Sequence, residues 1–203
     1  MITIVDLGLG NVGSISNILN RLGAESIITN KKEDLVKASK LILPGVGSFD
    51  TAINNLRENG LIEPLNTSLV EQKTPILGIC LGAQLLTKCS EEGNHKGLGY
   101  VNLKTIKFKV EDKSLKLPNM GWRKIIPRNQ SKLFDNIEDP WFYFVHNYHF
   151  NGNEPNLVSS SSEYGKEFIS SFEKENILGV QFHPEKSHKY GFKLFENFLK
   201  FYS

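Results

Sequence analysis

The chain has 203 residues, 39% of them hydrophobic and 23% charged, with a formal net charge of +2. That balance suits one soluble domain over residues 1–203 and argues against nucleic acid or an anionic membrane as a partner. No apolar run is long enough to span a bilayer, and the N-terminus lacks the basic start of a secretory signal. Cys80 and Cys89 alone make no disulfide framework, so a cytoplasmic protein with free thiols is expected.

Ile2 to Leu7 reads as a first strand, followed by Gly8-Leu9-Gly10-Asn11-Val12-Gly13 and a helical pattern through Ile15, Ile18, Leu19 and Leu22. This is a literal G-x-G-x-x-G, so a dinucleotide site has to be weighed. That fingerprint needs an acidic residue where the second strand ends. Here Ser26 to Thr29 runs into Asn30-Lys31-Lys32, with Glu33 beyond at a helix start, so a structural or partner-facing turn is the stronger reading. A third strand, Lys40 to Leu43, leads into Pro44-Gly45-Val46-Gly47. The two glycines let backbone amides approach a ligand closely or reorient. A helix follows over Asp50 to Asn59, and a second helical stretch over Ile62 to Val70.

Pro75 to Ile79 is the next strand, and it ends in Gly78-Ile79-Cys80-Leu81-Gly82 before another helical pattern, on which Cys89 is expected as packing. Gly-x-nucleophile-x-Gly between a buried strand and a helix is a nucleophile elbow. Its turn is tight enough to demand glycine on both sides of a side chain held at the carboxyl end of the sheet. Buried apolar packing is the competing reading for Cys80. The order so far is β-α-β-β-α-β-α. Its apolar strands predict an open, mostly parallel sheet flanked by helices, flavodoxin-like, with ligands at the carboxyl strand ends.

From Glu91 the pattern changes. Tyr100 to Val110 predicts one or two strands, and Lys116 to Arg123, Trp141 to His149, Leu157-Val158, Phe168 to Phe172 and Ile177 to Phe182 predict more, several of them antiparallel. Lys193 to Phe201 closes the chain as an amphipathic helix. The last strand ends in Gln181-Phe182-His183-Pro184-Glu185. A histidine at a strand end is a natural general base, and a carboxylate two residues on can fix its tautomer. With the cysteine elbow these residues complete a Cys80, His183, Glu185 constellation of the triad type.

Pro44 to Gly47, Gly78 to Gln84 and Gln181 to Glu185 together resemble the three signatures of the triad (class I) glutamine amidotransferases, over nearly the whole chain. Pro118-Asn119-Met120-Gly121-Trp122, Phe142 to Tyr148 and Pro184 to Ser187 resemble, within that family, the glutaminase subunits of imidazole glycerol phosphate synthase. The resemblance implies that Cys80 attacks the side-chain amide of glutamine, that His183 protonates the leaving ammonia and that Glu185 orients His183. It implies an oxyanion hole at Val46, Gly47 and Leu81, and glutamine held by Gly45, Gly47, Gln84, Asn147 and Tyr148. It further implies a (βα)8-barrel cyclase partner of histidine biosynthesis that receives the ammonia, met by Asn11, Pro118, Asn119, Met120, Trp122, Arg123 and Lys186, with no cofactor and no metal. The pattern departs from the family at Ala83, at Asn147 and above all at Arg123, where Asn is usual. A diverged relative serving a barrel or ATP-dependent amidotransferase of surface-sugar synthesis therefore stays open. So does the separate class of a catalytically idle scaffold or dinucleotide-binding protein.

Overall fold

The computed structural model describes residues 1–128 and 131–202. Four short strands, β1 (Ile2–Val5), β2 (Ser26–Thr29), β3 (Lys40–Gly45) and β4 (Ile76–Cys80), run parallel with β1 between β2 and β3, and β3 beside β4. Between them lie α1 (Val12–Arg21), α2 (Lys32–Val36), α3 (Phe49–Glu58) and α4 (Ile62–Asn66), and α4 runs on into a π-helical turn over Thr67–Glu71. The short α2 forms at the helix start expected around Glu33, an element that the expected order leaves out. Strands β1 and β4 are buried along their whole length, as a parallel sheet covered on both faces requires.

The elbow helix α5 (Leu81–Leu85) is much shorter than its apolar pattern suggests. Thr87 donates its hydroxyl to the Gln84 carbonyl at 2.7 Å, and the amides of Leu98, Val101 and Gly99 take the carbonyls of Leu85, Leu86 and Thr87. These bonds satisfy the helix end and turn the chain away. Cys89 is therefore not on the elbow helix; it makes a β-bridge to Lys96.

The second half is built of β5 (Lys104–Lys107), β6 (Asn119–Pro127), β7 (Trp141–His146), β8 (Tyr148–Asn151), β9 (Val158–Tyr164), β10 (Lys166–Lys174) and β11 (Ile177–Val180), closed by α6 (His188–Phe201). Tyr100 to Val110 yields the single strand β5. The complete sheet path is β2-β1-β3-β4-β11-β10-β9-β6-β7, with β8 pairing β10 and β5. Strand β11 is parallel to β4, and every later pairing on the path is antiparallel. One face is covered by α3, the segment after it and the elbow, around Phe49, Leu56, Leu61 and Phe172. The other is covered by α1 and α6, around Ile15, Leu19, Phe182, Leu194 and Phe198.

Candidate functional site

Cys80 closes β4 with φ +52° and ψ −111°, a conformation that side-chain-bearing residues rarely adopt. Such strain costs on the order of 1–3 kcal/mol and persists only where neighbours impose it. A Cβ on Gly82 would sit 1.8 Å from the Leu43 carbonyl oxygen, and one on Gly78 would sit 2.6 Å from Ala83 Cα. The two glycines let β3 and α5 close on the turn and force the cysteine outward. Gly45, opposite Cys80 in the β3–β4 register, packs against Leu81 and Gly82 beneath the turn.

Because β11 lies beside β4 in parallel, with Ile79 opposite Val180, the two carboxyl ends emerge together. Gln181 follows β11, and its Nε2 donates to Cys80 Sγ at 3.6 Å. Gln84 Nε2 donates to Gln181 Oε1 at 3.0 Å, so the Gln84 amide is already engaged in supporting the sulfur's donor. Two residues further, His183 Nδ1 meets Glu185 Oε1 at 2.8 Å, with both side chains buried. A carboxylate only accepts, so Nδ1 carries the hydrogen and Nε2 is left for the cavity. That Nε2 is buried without a hydrogen-bond partner among the described residues. Burial alone would lower the His183 pKa, but the charge of Cys80, followed by Glu185, raises it to about 10.

Cys80 and His183 share a cavity of about 230 Å³ with Val46, Gly47, Leu81 and Gln84 on one side and His146, Asn147 and Tyr148 on the other. It is smaller than the roughly 300–1,000 Å³ of sites for drug-sized ligands, and suits a single amino acid. Val46 is 41% exposed and Gly47 has φ +102°, so this loop is held by little on its outer side. Glu92 also lines the cavity and is its sole acidic residue. Its Oε2 accepts the Phe49 N–H at 3.2 Å, and burial raises its pKa against that bond. Nothing in the local sequence marks Glu92 or the sulfur contact of Gln181. Both arise from contacts made over 43 and 101 residues of chain.

The residues expected to meet a partner divide. Met120 is 55% exposed, Trp122 stacks on His188 at 5.4 Å, and Lys186 lies over the Tyr143 ring. Asn11 is exposed just before α1. A cleft of about 650 Å³ between α1 and α6 is lined by Asn17, Arg21, Lys186, His188 and Lys189. Pro118 and Arg123 are partly buried, and Asn119 is wholly buried. Asn119 was expected to touch a partner, but the strand pleat turns it inward while Met120 points out. Gly10 packs against Pro44 and Gly45, so the Gly8–Gly13 turn braces the neighbouring loop. Among the described residues no cluster of His, Cys, Asp and Glu could hold a metal ion, and no helix is long and apolar enough to cross a membrane.

Residues 3–201 match the glutamine amidotransferase class-I family. A protein of Methanococcus maripaludis, "Imidazole glycerol phosphate synthase subunit HisH 2", is 55% identical over 98% of this chain and 99% of its own length. A HisH 2 subunit of Pseudomonas aeruginosa is 40% identical, covering 98% of this chain and 99% of its own length. A HisH 1 subunit of Campylobacter jejuni is 43% identical, covering 98% of this chain and 100% of its own length. A crystal structure of a glutamine amidotransferase superposes with a TM-score of 0.76 at 21% identity, over 98% of this chain and 97% of that one. It bears on the fold alone.

Proposed function

Because the chain belongs to the class-I glutamine amidotransferase family, we propose that it is the glutamine-hydrolysing subunit of an imidazole glycerol phosphate synthase, working in the cytoplasm with a (βα)8-barrel cyclase. The single observation that carries the chemistry is that Cys80 and His183 open on one cavity, with Glu185 held against His183 Nδ1.

The Cys80 thiolate attacks the carboxamide carbon of glutamine, and the carbonyl oxygen becomes an oxyanion. The backbone amides of Leu81 and of the Val46–Gly47 segment are the donors for it, each worth roughly 3 kcal/mol in the transition state. As the C–N bond breaks, His183 gives its Nε2 proton to the leaving nitrogen, which departs as ammonia. A water then attacks the glutamyl thioester with His183 as base, releasing glutamate and regenerating the thiol. Glu185 keeps Nδ1 protonated and the ring in register throughout. Gln181 supports the thiolate by donating to Sγ, and Gln84 sets the orientation of Gln181. Glu92 receives the substrate's α-ammonium, because a cavity-lining carboxylate whose pKa burial raises gains from a cation placed beside it. Gly47 and the Asn147–Tyr148 backbone hold the rest of the amino acid.

The test is glutamate release by this chain with a histidine-pathway cyclase, with and without the cyclase's ribonucleotide. Strong stimulation coupled to imidazole glycerol phosphate formation is expected, and Cys80→Ala should abolish it. A second reading has its own observations. Arg123 stands on the partner-facing strand, and the three relatives quoted above carry copy numbers in their names. Unstimulated turnover, with Cys80 still labelled by a glutamine-mimicking electrophile, would mean the same chemistry serving an amidotransferase of surface sugars.

A further inference from the structure

We propose that Arg123 is a positioning residue for glutamine: through Asn119 and His146 it holds the Asn147–Tyr148 backbone that walls the cavity. The inference rests on the glutaminase reading above and names a part of that site. Arg123 Nε lies 3.2 Å from Asn119 Oδ1, Asn119 Nδ2 lies 3.0 Å from His146 Nε2, and His146 Nδ1 lies 2.7 Å from the Tyr148 carbonyl oxygen. The two ends fix the polarity of the chain between them. A guanidinium can only donate and a peptide carbonyl can only accept. His146 therefore carries its hydrogen on Nδ1 and donates to Tyr148, which leaves Nε2 as an acceptor. Asn119 must turn its NH₂ to that nitrogen and its oxygen to Arg123. One arrangement alone satisfies all three bonds, and it requires a neutral imidazole; burial, first among several causes, keeps it so.

The inner end of this relay is the bend between β7 and β8, where Asn147 and Tyr148 face the cavity. The bend has a second anchor, the Phe108 N–H on the Asn147 carbonyl at 3.0 Å, so the relay sets its orientation and not its existence. At the outer end, Arg123 also donates to the Trp122 carbonyl at 3.1 Å and lies 5.0 Å above the Tyr164 ring. Those contacts hold the guanidinium in one place, half-buried between Trp122 and the interior. With Arg123 removed, the Tyr148 carbonyl still keeps the hydrogen on His146 Nδ1 and the Asn119 NH₂ on Nε2, but Asn119 loses the guanidinium that anchors it from the outer side, and the Asn119–His146 pair loses its fixed position.

The test uses the full chain carrying Arg123→Met, and a second variant, Asn119→Asp, which keeps the shape but faces Nε2 with an acceptor. Glutamine affinity is read from protection of Cys80 against iodoacetamide, and the protonation of His146 and its Nε2 hydrogen bond from the two ring ¹⁵N resonances. We expect Arg123→Met to weaken glutamine about tenfold, to leave the labelling rate of unliganded Cys80 unchanged, and to shift the His146 Nε2 resonance toward that of a free acceptor nitrogen as its hydrogen bond from Asn119 loosens, with the hydrogen still on Nδ1. Asn119→Asp should force a hydrogen onto Nε2 and weaken glutamine at least as much. Arg123→Lys, which keeps a donor, should recover most of the affinity. Wild-type glutamine affinity and an unaltered His146 spectrum in either of the first two variants would overturn the relay. A wild-type chain that glutamine does not protect at all would instead overturn the glutaminase reading, and the ¹⁵N spectrum would still report whether the relay forms.

Discussion

His146 and His183 both line the same cavity and are driven in opposite directions. Burial takes the His146 pKa down to about 3, so between pH 6.5 and 3 the unfolded chain binds a proton that the folded chain refuses. Stability therefore falls as pH drops through that window, by about 1.4 kcal/mol per pH unit from this group. Urea unfolding at pH 7, 6 and 5 should show it, and His146→Gln should flatten the slope. His183, raised to about 10 against the cost of burial, behaves in the reverse sense. Its contribution is complete below pH 6.5 and is lost as pH rises toward 10. Cys80→Ala removes the main charge that raises it, so the alkaline loss should shrink in that variant. An alkaline slope unaltered in Cys80→Ala would mean that the two groups are not paired.

At the scale of elements, the chain's glycines are unequal in ways that spacing alone does not reveal. Gly82 and Gly13 are each the second residue of a helix that follows a glycine-bearing strand end. A methyl on Gly82 has 1.8 Å to the Leu43 carbonyl, whereas nothing lies within 4 Å of one on Gly13. Gly82→Ala should cost at least about 3 kcal/mol or prevent folding. Gly13→Ala should gain up to about 1 kcal/mol through helix propensity, and denaturant titration separates the two outcomes. The elbow was legible because its chemistry is local: the glycines, the cysteine and the strand are contiguous. Strand β9 was legible only at its start, where Leu157-Val158 predicts a strand, since Ser159-Ser160-Ser161-Ser162-Glu163-Tyr164 has no apolar alternation. It is nevertheless buried, because Ser159 and Ser160 bond Ser170 and Ser171 across the ladder at 2.6–2.7 Å. A hydroxyl satisfied by another hydroxyl leaves no trace in a hydropathy pattern. The early end of α5 has the same origin, in bonds from residues 97–101 that the helix's own sequence does not contain.

For the molecule as a whole, the site forms where the parallel half meets the antiparallel half. Strand β4 brings Cys80, and β11, turned back from β10 in a tight hairpin, brings His183 beside it. The antiparallel half also carries an outward face on β6 and β7, so strand alternation puts Asn119 inside against His146 and its neighbour Met120 outside, opposite Val145. Met120 is 55% exposed, and the stacked Trp122–His188 pair and Lys186 lie on the same side of the molecule. A large apolar side chain left in solvent beside an aromatic anchor is what a docking partner covers. Met120→Glu would place an unpaired carboxylate under that partner, whose desolvation is costly. We expect the cyclase to bind the variant at least tenfold more weakly, a loss of about 1.4 kcal/mol or more. Calorimetric titration measures it directly, and iodoacetamide labelling of Cys80 in the free variant should proceed at the wild-type rate. Unchanged affinity would move the docking face away from β6, toward the basic cleft between α1 and α6, where Arg21→Glu would then be the variant that weakens binding.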